Sequence, residues 1–137
     1  MTPAPQPRLC HGLTDAADLP PPVHLAIGIF DGVHLGHQSV LEAAVHQASR
    51  EGGTPAVLTF DPHPSRLFRP AEATRLIVPL EEKVRLLGDL GIHAVIVQPF
   101  TAAFAALSAE AFLDAITAAL PTLGGIYVGQ NFRFGKG

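Results

Sequence analysis

The sequence predicts a three-layer α/β/α domain, with helices covering both faces of a parallel β-sheet. Three observations carry that expectation. Short apolar runs with β-branched and aromatic members alternate with longer stretches of helical periodicity, the pattern of βαβ units. Glycine or proline punctuates the junctions, at Gly52-Gly53, Pro79, Gly91 and Pro121. The chemically unusual side chains fall just after the ends of the apolar runs, the edge at which open parallel sheets bind ligands.

The elements follow in order. Residues 1–22 contain six prolines, Pro3, Pro5, Pro7, Pro20, Pro21 and Pro22, and are expected to form a mobile tail and then an irregular approach to the first strand. Val23 to Phe30 reads as a buried strand that runs into a glycine-rich turn. A helix opens near Gly36, carries an apolar stripe at Leu41, Ala44, Val45 and Ala48, and stops at Gly52-Gly53. Pro55 to Asp61 is the second strand, ending in Asp61-Pro62-His63-Pro64, where two prolines disfavour a helix and hold His63 extended. The following segment with Arg66, Arg69 and Arg75 reads as loop.

Pro79 suits the first position of a second helix, with Glu81 and Glu82 in its first turn and Gly91 past its end. Leu80, Val84, Leu87 and Leu90 keep helical spacing, and Glu81 with Arg85 is an i,i+4 pair. His93 to Gln98 is the third strand, and Phe100 to Leu107 has room for a short helical turn. Ser108 is placed to cap a helix with Glu110 near its positive end and a stripe of Phe112, Ile116 and Leu120. Pro121 ends it, and Gly125 to Gly129 is a fourth strand. The four strands end at Asp31, Asp61, Gln98 and Gly129, with His34, His37, His63, Asn131 and Arg133 just beyond those points.

Composition narrows the classes. At 137 residues, 47% hydrophobic and 15% charged, the chain has one domain's worth of core. It has no apolar run of about 18 or more residues, so no membrane span is expected. The net charge of −3 and the scattered nine Lys and Arg argue against a nucleic-acid footprint. One cysteine, Cys10, excludes an internal disulfide network, and the N-terminus lacks a secretory signature, so a cytoplasmic setting is expected.

The chemistry concentrates in Gly28-Ile29-Phe30-Asp31-Gly32-Val33-His34-Leu35-Gly36-His37. A strand–turn–helix junction points unpaired backbone N–H groups and the positive end of a helix dipole at one spot, which suits a phosphate. Gly32 and Gly36 remove side chains where a phosphate needs close backbone approach. The imidazoles of His34 and His37 can donate to phosphate oxygens as charge builds on them. A metal reading also stands: His34, His37 and His63 with Asp31 or Asp61 would suit zinc or another divalent transition metal. Against it, paired histidine ligands on a helix usually sit four residues apart, and these two are three apart.

That stretch resembles the first signature of the His-x-Gly-His nucleotidyltransferase superfamily. Within it, the match is to the FMN adenylyltransferase (FAD synthetase) domain of bacterial bifunctional riboflavin kinase/FAD synthetases. Further stretches resemble the same family in order and spacing: Thr59 to Pro64, Pro79 to Lys83 with Leu86-Leu87, Phe104 to Phe112, and Val128 to Gly135. The likeness runs from about Arg8 to Gly137. It implies a Rossmann-like fold of nucleotidyltransferase type and adenylyl transfer from ATP, with Mg²⁺, to FMN, giving FAD and pyrophosphate. By the same resemblance His34 and His37 contact the ATP phosphates, and Gly28, Phe30, Asp31, Gly32 and Gly36 shape the ATP pocket. Phe60, Asp61, Pro62, His63 and Pro64, together with Asn131 and Arg133, lie along the FMN; no metal ligand is assigned among the side chains. Asn131 stands where many relatives carry Asp, a hydrogen-bonding group without the charge.

The family continues to a second signature, Ser-Ser/Thr-x-Ile-Arg, and to a riboflavin kinase domain, neither of which occurs in these 137 residues. Residues 23–137 are therefore expected to be an adenylyltransferase domain truncated on its C-terminal side, behind a Pro-rich segment 1–22. Two alternatives remain at this point: a noncatalytic flavin- or nucleotide-binding module, and a metal-dependent phosphohydrolase using the three histidines.

Overall fold

A computed structural model describes residues 7–28, 35–61, 80–99 and 101–128. Among these residues the order is β1 (Arg8–His11), a 3-10 turn (Leu13–Ala16), β2 (Val23–Ile27), α1 (Leu35–Glu51), β3 (Thr54–Asp61), α2 (Leu80–Asp89), β4 (Ala94–Pro99), α3 (Ala102–Ala105), α4 (Ala109–Ala119) and β5 (Leu123–Val128). The strands form one sheet in the order β1-β4-β3-β2-β5, and every pairing is parallel.

The three layers follow from alternation along the strands. Val23, Leu25 and Ile27 of β2, Ala56, Leu58 and Phe60 of β3, and Ala94 and Ile96 of β4 all point to one side. There they pack with Leu13, Ala16 and Leu19 and with Phe112, Ile116 and Leu120 of α4 and its end. On the other side, Ala26, Val57, Val95 and Val97 meet Leu41 and Ala44 of α1 and Leu87 of α2. A strand buried on both faces reads as a continuous apolar run, which is why β3 and β4 were recognisable without polar alternation.

Helix ends are set by local chemistry. Gly52 takes a left-handed φ of 69° after α1, and the Gly53 N–H donates to the Ala48 carbonyl at 2.8 Å. Gly91 follows α2 with φ 102°. The Ser108 hydroxyl accepts from the Ala111 N–H at 3.1 Å to cap α4, and Thr101 does the same for Phe104 at the start of α3. Among the described residues no helix is long and apolar enough to cross a membrane.

Two sequence expectations are corrected. Residues 8–11 are not an irregular approach: they are strand β1, in register with Ala94 to Val97 of β4. Pairing against a strong neighbour imposes an extended backbone on Arg-Leu-Cys-His, whose own pattern is too short and mixed to signal a strand. Arg85 pairs with Glu82, at 4.0 Å, rather than with Glu81; both partners are well exposed, so the exchange matters little for stability.

Connectivity locates the functional edge. From β2 the chain steps outward through α1, β3, α2 and β4, then crosses back through α3 and α4 to lay β5 on the other side of β2. The direction of winding therefore reverses between β2 and β5. In open parallel sheets the crevice at the carboxyl ends of such strands is the binding position.

Candidate functional site

The carboxyl edge is assembled from the ends of all the described strands. β2 finishes at Ile27, in register with Leu58 of β3 and Val128 of β5. Gly28 extends it by one residue; it is buried, and its N–H donates to the Leu58 carbonyl at 3.1 Å. β3 reaches Asp61, in register with Pro99 at the end of β4. At the outer side, the Gly12 N–H donates to the Val97 carbonyl at 2.8 Å, and the Gln98 carboxamide oxygen accepts from the Leu13 N–H at 3.2 Å. These bonds close that side of the edge with backbone groups satisfied.

Helix α1 begins over this edge because it follows β2 and runs back along the sheet. Gly36 and His37 are its second and third residues. No acidic residue lies within its own first turn, so among the described residues of the helix no carboxylate offsets the positive end of its dipole. That is an arrangement for receiving an anion.

Beside this, the edge has an aromatic support. Phe60, near the end of β3, is 4% exposed. Its ring lies 5.9 Å from Phe104 of α3 and 6.4 Å from Phe112 of α4. Phe104 and Phe112 meet edge to face at 5.7 Å and 89°, a geometry favoured by the ring quadrupoles. Phe60 is thus a member of the core directly beneath the strand end; Phe104 is only half-buried.

Of the residues the sequence singled out, Gly28, Gly36, His37, Phe60 and Asp61 are brought to one edge by the described backbone. His34, Phe30, Asp31, Gly32, Pro62, His63, Pro64, Asn131 and Arg133 lie outside the described residues. Among the described residues, no group of three or more His, Cys, Asp or Glu side chains is gathered to hold a metal ion. Sequence reading passed over one polar cluster, formed by His24, Glu51 and Tyr127. Its only sequence signal is a histidine inside an otherwise apolar strand.

The chain is similar to known proteins in both sequence and fold. A family model described as FAD synthetase matches residues 17–137. The chain is 41% identical over 113 residues to a bifunctional riboflavin kinase/FMN adenylyltransferase of Listeria monocytogenes, covering 82% of this chain and 36% of that protein. It is 42% identical to the protein of the same name in Bacillus subtilis, covering 82% of this chain and 35% of that one. It is also 37% identical to a protein named FAD synthetase in Listeria monocytogenes, over 82% of this chain and 46% of that protein. The chain thus spans about a third to a half of the length of these relatives. A solved structure described as a macrolide-efflux protein from Streptococcus pneumoniae superposes with a TM-score of 0.80 at 24% identity, over 94% of this chain and 44% of that one. At that identity the likeness is one of fold.

Proposed function

The chain belongs to the FAD synthetase family, and from that membership we propose that it carries out adenylyl transfer from ATP to FMN. A phosphate oxygen of FMN attacks the α-phosphorus of ATP; the new P–O bond forms as the bond to the β-phosphate oxygen breaks. FAD results, and pyrophosphate leaves with the bonding electron pair. The observation that carries the reading is the family match over residues 17–137, supported by the sheet's reversal point, which sits beside the N-terminus of α1.

The chemistry asks little of a general base. The FMN phosphate is already largely dianionic near neutral pH, so the protein's task is to align the two substrates and neutralise developing charge. In this reading His34 and His37 donate to ATP phosphate oxygens, and Gly28, Phe30, Asp31, Gly32 and Gly36 shape the nucleotide pocket. Asp61 to Pro64, Asn131 and Arg133 lie along FMN, with Phe60 backing that wall from the core. Mg²⁺ enters as part of the MgATP substrate, held chiefly by phosphate oxygens and water. A riboflavin kinase activity, named in the bifunctional relatives, would produce FMN for this site. The cytoplasm is the proposed setting, consistent with a free, buried Cys10.

The test is FAD formation from FMN, ATP and Mg²⁺, run on this chain and on a version extended to the length of its relatives. Turnover in the extended protein, dependent on ATP, is the expected result. Flavin or nucleotide binding without turnover in both would replace the enzyme with a binding module. Phosphate release that needs no FMN and is lost to a chelator would instead favour a metal-dependent phosphohydrolase.

A further inference from the structure

Strand β2 holds one polar residue, and it is enclosed. His24 is 3% exposed among Val23, Leu25, Ala26 and Ile27. A buried imidazole needs both ring nitrogens satisfied, and both are. Nδ1 lies 2.8 Å from the Tyr127 hydroxyl, and Nε2 is bonded to the Glu51 carboxylate. Since a carboxylate only accepts, Nε2 carries a proton, and the Tyr127 hydroxyl, able both to donate and to accept, satisfies Nδ1.

Strand β5 makes room for this arrangement. Gly125 is in register with His24, and a Cβ there would come within 2.9 Å of the Tyr127 oxygen and 3.1 Å of His24 Nδ1. A Cβ at Gly124 would come within 2.7 Å of Pro22 and 3.1 Å of His24 Nε2. Glu51 is the last residue of α1, where a carboxylate faces the negative end of the helix dipole. A residue that opposes its local preference yet meets a buried partner points to a tertiary role.

That role concerns the other end of the helix. Gly36 and His37 lie roughly 20 Å up the axis from Glu51 at the usual helical rise. Between the two ends, α1 meets the core on this face through buried Leu41 and Ala44, with Val40 and Val45 packed alongside. Apolar contacts of this kind are non-directional and constrain the helix's axial and rotational setting only through shape. Glu51 supplies a directional bond that apolar packing does not.

We propose that the His24–Glu51–Tyr127 cluster anchors α1 to β2 and β5 and fixes its axial and rotational setting, making His24 and Glu51 positioning residues for His37. The proposal rests on the adenylyl-transfer reading, in which small displacements of a charge-stabilising group are costly to rate. Strands β2 and β5 flank the reversal point, so one cluster registers the helix against both walls of the crevice.

The test compares Glu51→Ala, Glu51→Gln and His24→Leu with Ile116→Val, a packing control in α4 on the opposite face, all in the protein extended to the length of its relatives. Steady-state kinetics for FAD formation and hydrogen exchange of the first turn of α1 are read together. Glu51→Ala and His24→Leu are expected to lower kcat about tenfold, with KM for FMN within about twofold. Glu51→Gln keeps an oxygen that accepts from Nε2–H and retains most of the wild-type kcat. Ile116→Val leaves kcat near wild type. Exchange in the first turn of α1 quickens in Glu51→Ala and not in Glu51→Gln. A folded Glu51→Ala protein with wild-type kcat overturns the proposal, as does a Glu51→Gln variant as impaired as Glu51→Ala. If the wild-type protein forms no FAD, the activity reading fails instead. The anchor is then judged on exchange, and unchanged exchange in Glu51→Ala overturns it.

Discussion

His37 sits where a helix begins without an acidic residue in its first turn, so the side chain and the helix N-terminus favour the same charge. Replacing it with alanine suits the helix, alanine being the stronger helix former, and removes only the imidazole. The expected outcome for His37→Ala is a fall in kcat of roughly 10²-fold with KM for FMN nearly unchanged, as for loss of one oxyanion donor. Steady-state kinetics check it; an unchanged kcat refutes the role. Cys10 makes a separate statement about pH. Burial raises its thiol above the ordinary value of 9.0, with Arg8 opposing. As pH climbs past 9.0 the unfolded chain ionises first, so the stability contributed by the neutral buried thiol is complete below that pH and is lost as pH rises toward the folded value. Tyr127, raised by burial and then by Glu51, acts in the same direction at higher pH. Urea unfolding is therefore expected to show stability falling as pH rises past 9.0, more steeply in the wild type than in Cys10→Ala. An equal slope in both proteins would contradict the assignment.

The junction of α1 with β3 shows how closely two elements can constrain each other. A Cβ at Gly53 would lie 2.0 Å from the Pro22 carbonyl oxygen, a backbone atom that also accepts from the Thr54 N–H at 3.0 Å. Gly53→Ala must push the entry to β2 away from the start of β3, and a loss of about 3 kcal/mol or more is expected. Gly52→Ala meets nothing within 4 Å and has only its φ of 69° to contend with, so a loss of about 1 kcal/mol is expected. Denaturant titration of the two variants checks the order; equal losses would contradict it. Elements with a clear period or cap were legible in the sequence: β3, β4, α2 and the Ser108-capped α4 all lie close to where their patterns place them. Strand β1 was not, because it extends only when β4 offers it a ladder. The His24 cluster was not, because Glu51 and Tyr127 lie 27 and 103 positions along the chain from His24, and only the sheet order brings them together. Of the candidate site, the sequence supplied the residue types and the edge they share. The reversal of winding beside β2 required the topology.

For the molecule as a whole, the sheet order β1-β4-β3-β2-β5 gathers the ends of distant strands on one edge. Two apolar layers hold that edge in place, α1 and α2 packing on one face of the sheet and the 3-10 turn with α4 on the other. The proposed role of the site requires that edge to serve attack at the α-phosphorus of ATP rather than at the γ-phosphorus or not at all. The direct measurement supplies the protein, extended to the length of its relatives, with FMN, Mg²⁺ and ATP labelled either at the α- or at the γ-phosphate. Label from the α-position is expected in FAD and label from the γ-position in pyrophosphate, both only when FMN is present. Label from the γ-position appearing as free phosphate, with no labelled FAD, would contradict adenylyl transfer.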